Sequence, residues 1–248
     1  MGVDIYVLDF LVKHQLRYPQ KFGKTLWLGR QGFHIERSQA GDANAILAES
    51  RLGINFEDIH DGLYADRLFR ALGSNVIHAM DISDFEGADI IHDLNIRIDA
   101  ELYAQFDSIF DGGTLEHIFN IPVALENIVN MLRDGGLFIS VNGANNQLGH
   151  GFYQFSPELF WSFFRLRPNF IVESLMLMPC TGKPHAVDAP DPAVAGNRQE
   201  IGATAHPTYL FLAARKSGAS GGGAVMPQQS DYAASWARHS ENKVKDQS

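Results

Sequence analysis

Three carboxylates in this chain stand at the ends of short apolar runs: Asp81 closes NVIHAMD, Asp93 closes DIIHD and Asp111 closes DSIFD. Apolar runs of this length bounded by turn residues read as buried strands, so each acid falls where a strand leaves the core. Open α/β sheets bind their ligands at that carboxyl edge, and an acid ending a strand there can accept both hydroxyls of a ribose. Asp81 is the candidate for this contact, with Ile82 beside it, and Asp93 with Leu94 forms a second candidate pair one strand further on. A fourth run, Lys24–Leu28, leads into Gly29, Arg30, Gln31 and Gly32. A glycine at such a turn lets backbone approach a ligand closely, and the guanidinium of Arg30 suits a planar carboxylate.

Proton-transfer chemistry has fewer candidates. His150 lies in NGANNQLGHGFYQFSP, between Gly149 and Gly151, in a polar loop after an apolar run. A histidine near its ordinary pKa can take a proton from a hydroxyl at neutral pH, and Tyr153 and Gln154 could add hydrogen bonds to a polyhydroxylated acceptor. Asp111 is followed by Gly112 and Gly113, small residues that leave space, and then by Glu116 and His117. Glu116 is a further acid–base candidate, whereas His117 reads as a packing or hydrogen-bonding residue. His78, His92, His185 and His206 are widely spaced, without the carboxylate or cysteine pattern of metal ligands, so no metal is expected. Neither a G-x-S-x-G elbow nor a Walker loop occurs.

The elements that must position these residues alternate. Val3, Val7, Phe10, Leu11 and His14 recur at helical spacing, and an N-terminal helix over residues 1–20 is expected to pack on the core. Strands are predicted at Lys24–Leu28, Asn75–Met80, Asp89–His92, Ser108–Phe110, Leu137–Val141, Ile171–Met178 and Tyr209–Ala214. Helical segments separate them, one opening at Ser156 as N-cap with Pro157 in the first turn. Strands alternating with helices give a doubly wound, mostly parallel α/β sheet, here with an antiparallel edge strand supplied by the final pair. The domain is expected to span residues 21–215, with the Pro- and Gly-rich stretch 179–207 as a long loop or lid. Residues 216–248, opening on KSGASGGG, read as a mostly disordered tail with a short helix around 232–238.

From Phe106 to Pro157 the order of residues resembles the second half of a class I S-adenosylmethionine-dependent methyltransferase, in which a strand opening FD leads through an LEH segment and a helix to a GG turn. The resemblance implies a Rossmann-like methyltransferase fold and S-adenosylmethionine as cofactor. It places Asp81 on the adenosine ribose, Asp93 and Leu94 at the adenine, and Asp111 and Gly112 at the loop facing the methyl group. It also puts acceptor-binding groups on the loop of His150, the favoured base for a hydroxyl attacking the methyl sulfonium, with Asp111 and Glu116 as the other catalytic candidates. The glycine motif departs from the family pattern: Gly29 is kept, but Trp27 replaces an acid, Gln31 replaces the second glycine, and Gly32 comes one place early. Arg30 could hold the methionine carboxylate and take over part of that loop's work.

Composition narrows the partners. A chain of 248 residues with 45% hydrophobic content can bury one sizeable core. The net charge of −9 and the lack of a Lys/Arg cluster argue against nucleic acid. No run is long and apolar enough to span a membrane, the N-terminus lacks signal-peptide character, and a cytoplasmic location is the default. A single cysteine suits a reducing compartment. The expected reaction is O-methylation of a small polar acceptor such as a sugar or glycan end, with the oligomeric state left open. The alternatives are a non-catalytic methyltransferase-like binding domain and a nucleotide-linked oxidoreductase, though the latter would need an absent G-x-G-x-x-G.

Overall fold

A computed structural model describes residues 2–196, 204–218 and 226–245. In chain order the elements are β1 (Gly2–Val3), α1 (Ile5–Arg17), β2 (Gly23–Leu28), β3 (Gly32–Phe33), α2 (Ala40–Glu49), α3 (Phe56–Ile59), α4 (Asp66–Ala71), β4 (Ser74–Asp81) and β5 (Ile90–Ile91). There follow β6 (Phe106–Gly112), α5 (Ile121–Met131), β7 (Leu132–Asn145), α6 (Pro157–Arg165), β8 (Phe170–Pro179), β9 (Val187–Asp188), α7 (Pro192–Ala195), β10 (Thr208–Lys216) and α8 (Ser230–Lys245). Among the described residues no helix is long and apolar enough to cross a membrane.

The main sheet has eight strands in the order β5-β4-β2-β6-β7-β10-β8-β9. From β5 to β7 all neighbours are parallel. The strand β10 runs antiparallel to both β7 and β8, and the two-residue β9 runs antiparallel along β8 at the edge. The antiparallel end of the sheet is therefore built by β10, β8 and β9 together, with β10 two places in from the edge, between β7 and β8. The long connection after β8 allows this return, and β9 and α7 lie within it; residues 197–203 of the expected loop or lid fall outside the described residues.

Side-chain alternation along the strands feeds two cores. Trp27 of β2, Phe110 of β6, Leu137, Ile139 and Val141 of β7 and Phe211 of β10 face one side, where α1 and α4 add Leu8, Leu11, Leu68 and Phe69. Leu26, Leu28, Ile109, Phe138, Leu210 and Leu212 face the other, covered by Leu125 and Ile128 of α5 and Phe160 and Phe164 of α6. This period of two in the strands, against an apolar stripe on each helix, is what places helices on both faces. Asp4 starts α1 by accepting from the backbone N–H groups of Tyr6 and Val7, both at 2.9 Å, and Phe10 then packs on Phe211 with ring centroids 4.7 Å apart.

The connectivity matters for the site. The chain runs outward from β2 to β4 and β5, then returns to place β6 on the other flank of β2. That reversal is a topological switch point, where the connections leaving neighbouring strands diverge and open a crevice at the carboxyl ends.

In the tail, where the sequence predicts mostly disorder around a short helix at 232–238, the structure holds a helix over Ser230–Lys245. Its first turn is anchored: the Ser230 backbone N–H and hydroxyl donate to Glu158 Oε1 at 2.8 and 2.7 Å, and Arg165 donates to Ser230 Oγ at 2.8 Å. Beyond that turn the helix is largely exposed, including Tyr232 and Trp236. Residues 219–225 and 246–248 of the predicted tail lie outside the described residues.

Candidate functional site

A cleft of about 620 Å³ opens at the switch point, lined by Gly29, Arg30, Gln31, Tyr64, Asp81, Ile82, Asp93, Leu94, Gly112, Thr114 and His117 among others. Its size falls within the usual range for small-molecule sites. Gly29 directly follows β2 with φ +72°, and its N–H donates to the Met80 carbonyl at 2.7 Å. A Cβ there would lie 3.0 Å from Thr114 Oγ1 and 3.8 Å from Asp81 Oδ2, so the left-handed backbone favours glycine and the space beside Thr114 is tight. Thr114 is fixed in turn, its hydroxyl donating to the Leu28 carbonyl at 2.6 Å.

Asp81 stands at the end of β4 and Asp93 just beyond β5. The Asp81 Oδ1 accepts from the backbone N–H of Ile82 at 2.6 Å, and Ile82 itself is exposed at the cleft. Asp93 Oδ1 accepts from the backbone and side-chain nitrogens of Asn95, at 2.9 and 2.8 Å. Those bonds hold its carboxyl below the usual value and fold it back on its own turn. Leu94, with its side chain buried, completes this wall.

The glycine loop carries its departures visibly. The Gln31 side chain is buried and donates to the Leu28 carbonyl at 2.6 Å, while its Oε1 has no donor among the described residues. A Cβ on Gly112 would meet that oxygen at 2.2 Å, so Gln31 fills space that a glycine would leave open. Arg30 donates to Asp66 at 2.8 Å and lies between the rings of Trp27 and Tyr64, at 5.0 and 4.4 Å. Its guanidinium lines the cleft already committed on one edge.

Asp111, a predicted catalytic and cofactor-binding residue, holds a different place. It is fully buried and does not line the cleft. Oδ1 accepts from the backbone N–H groups of Thr114 and Leu115 at 2.8 and 3.2 Å, and Oδ2 from Ser140 Oγ and Asn142 Nδ2, both at 2.7 Å. Burial pushes its pKa up while these donors pull it down. The residue braces the loop after β6 against β7 and has no free lone pair facing the cleft, so the predicted catalytic role does not fit its position.

Glu116 and His117, adjacent in the chain, come together with the distant His150. Leu115–His117 forms a single 3-10 turn ahead of α5. The backbone N–H of Phe152 donates to the Glu116 carbonyl at 2.8 Å, and a Cβ on Gly151 would meet that oxygen at 2.7 Å. This close approach brings His150 over Glu116, with Nε2 3.6 Å from Oε1, and sets the His117 and His150 rings 5.3 Å apart. The Glu116 side chain is 1% exposed and neither oxygen has a hydrogen-bond partner among the described residues. Burial, with Asp111 close by, pushes its pKa up to about 8. Beside the cluster, Phe119 and Phe152 are exposed and meet edge to face at 5.6 Å.

Tyr64 and Thr114 are cleft residues without a signal of their own in the sequence. Tyr64 arrives through an isolated bridge to Gly32 across the helical segment before β4, a pairing that no local pattern announces.

No family model matches the sequence, and no curated protein matches it. Among solved structures the chain is similar to a 1,6-didemethyltoxoflavin-N1-methyltransferase of Burkholderia thailandensis, solved with 1,6-didemethyltoxoflavin and S-adenosylhomocysteine. That match has 16% identity and a TM-score of 0.45, over 86% of this chain and 78% of that one. It is also similar to an N-methyltransferase of Bradyrhizobium japonicum WM9, at 10% identity and TM-score 0.42 over 85% and 94% of the two chains. A third likeness is to a SAM-dependent methyltransferase from Archaeoglobus fulgidus, at 10% identity and TM-score 0.42 over 86% and 95%. The order of its own sheet, parallel from β5 to β7 with β10 inserted antiparallel between β7 and β8, and a cleft at the switch point give this chain a doubly wound, Rossmann-like α/β fold.

Proposed function

We propose that the chain is an S-adenosylmethionine-dependent methyltransferase acting on a hydroxyl of a small polar acceptor. The observation that carries this reading is the pairing of Asp81 with Gly29 at the cleft: an acceptor carboxylate at the end of β4 faces a left-handed turn that favours glycine. The residues present fit the cofactor. Asp81 suits the ribose hydroxyls, and the Asp93–Leu94 turn offers a polar edge and an apolar wall for adenine. Gln31 Oε1, a buried acceptor without a donor among the described residues, suits the ammonium of the methionine end, since a buried unpaired acceptor is costly until a donor reaches it. Arg30 can share its guanidinium between Asp66 and the methionine carboxylate. When bound, S-adenosylmethionine supplies a methyl group on a positively charged sulfonium.

The acceptor side is the wall made by His117, His150 and the exposed pair Phe119 and Phe152. Aromatic faces next to polar ligating groups suit a ring-shaped, hydroxylated acceptor, and a sugar or glycan end belongs to that class. These residues would orient the acceptor oxygen and exclude water, and holding two reactants in line supplies much of a methyl transfer's rate.

Calorimetry with S-adenosylhomocysteine and, separately, NAD tests the reading. The wild-type chain should bind S-adenosylhomocysteine and not NAD. Asp81→Ala should weaken binding by on the order of 10- to 100-fold, the loss of charge-assisted hydrogen bonds. No binding by the wild type, or an Asp81→Ala affinity within about threefold of it, less than the ~1.4 kcal/mol of a tenfold change, overturns the proposal.

A further inference from the structure

We propose that Glu116, His117 and His150 form a binding site for one divalent transition-metal ion of the zinc and cobalt class. Each residue can offer one ligand atom, and the three atoms lie within 4.8 Å of one another. The distance from Glu116 Oε1 to His150 Nε2, 3.6 Å, is too long for a hydrogen bond. It is close to the separation of two ligands on one tetrahedral ion, roughly 3.3 Å for bonds of 2.0–2.1 Å. A contact too long to be a hydrogen bond and close to the span of two ligands on one ion fits a shared cation.

The state of Glu116 points the same way independently. Its carboxyl is 1% exposed, and neither oxygen has a hydrogen-bond partner among the described residues. Buried carboxylates are ordinarily paired, hydrogen-bonded or bound to metal. Asp111, buried behind it, has its oxygens satisfied by four donors and gives Glu116 nothing but like charge. A dication held at one of these oxygens supplies the positive partner that the surrounding residues do not.

The donor set selects the ion. Two imidazoles and one carboxylate suit zinc, cobalt, iron or nickel, whereas magnesium and calcium favour all-oxygen sets. Three protein ligands with positions left open are also the pattern of sites that take a further ligand from solution. The scaffold preorganises the set: the Phe152 N–H and the close approach of Gly151 pin the His150 loop to the Glu116 carbonyl. The side chain of His150 is 46% exposed, so an ion can enter without unfolding. The sequence conceals the site because Glu116 and His117 are adjacent while His150 lies in a distant loop, a spacing unlike any regular metal motif. The inference rests on the cluster alone and goes beyond the methyl-transfer reading.

The test uses the untagged full-length chain, freed of metal by chelation and titrated with Co²⁺, with visible absorption as the readout and Zn²⁺ as competitor. One Co²⁺ per chain should bind, giving the d–d bands of a low-coordinate site, and Zn²⁺ should displace it. His150→Ala and Glu116→Gln should each weaken binding by roughly tenfold or more, while His92→Ala, a cleft histidine outside the cluster, should not. If Glu116→Gln fails to fold, His150→Ala carries the test, since its side chain is half exposed. No stoichiometric binding by the wild type, or equal binding by the wild type and His150→Ala, overturns the site. Binding of S-adenosylhomocysteine, measured on the same chelated protein, reports separately on the methyltransferase reading.

Discussion

Asp111 and Glu116 sit five positions apart and are both buried, yet among the described residues only Asp111 finds hydrogen-bond donors. Every lone pair that Asp111 uses faces an N–H or O–H: two from backbone, one from Ser140 and one from Asn142. An amide in its place must turn one NH₂ toward another donor. Asp111→Asn is therefore predicted to lower the unfolding free energy by about 2–3 kcal/mol, the range for losing charge-assisted bonds and stranding their partners. Urea denaturation at neutral pH checks this, and a change below about 0.5 kcal/mol, the scale of an ordinary surface substitution, would show that the bracing is dispensable. Sequence position alone could not separate these acids. Asp111 lies near the end of β6 and Glu116 just beyond it, and both precede α5; what distinguishes them is the set of donors that β7 brings from some thirty residues away. That is also why His150 and Glu116 could be named individually but not as one cluster.

At the scale of elements, α1 is held to the sheet by a charged knot as well as by its apolar stripe. His14 Nε2 lies 3.0 Å from Glu173 Oε2, and Arg215 Nη2 donates to the same oxygen at 2.9 Å, joining α1, β8 and β10. Burial alone would raise the Glu173 pKa, but the hydrogen bonds from His14 and Arg215 and the charge of Arg215 outweigh it and leave it lowered. A carboxyl lowered on folding adds stability above its unfolded pKa of about 4.3, and that stability fades as pH falls through the lower folded value. The melting-temperature advantage of wild type over Glu173→Gln should therefore be full at neutral pH and shrink below about pH 4.5. A pH-independent difference would contradict the ionic role. The apolar half of this architecture was legible: the repeat of Val7, Phe10, Leu11 and His14 gave α1, and the short apolar runs gave the strands from Leu26 to Leu212. The place of β10 between β7 and β8 was not, because a strand buried on both faces reads alike whichever neighbours it joins.

For the molecule as a whole, the described part of the tail adds little to the core. Its helix docks through Ser230, Glu158, Arg165 and Ser162, polar groups that water can replace. Lys216 belongs to the core instead: its ammonium donates to the Val129 and Leu132 carbonyls at 3.0 and 2.8 Å, at the end of α5. Truncation after Gly218 is predicted to shift the melting temperature by only about 2–4 °C, the equivalent of roughly 1 kcal/mol in a chain of this size. A collapse in soluble yield would show that the tail is integral.

The cleft between β2 and β4 is the centre of the functional assignment, and a crystal structure with S-adenosylhomocysteine addresses it most directly. The predicted result is both ribose hydroxyls within hydrogen-bond reach of the Asp81 carboxylate, the adenine against Leu94, and the amino-acid end over Gly29 and Gln31. Ligand density at any other place, or a cleft that stays closed to the ligand at saturating concentration, would contradict it.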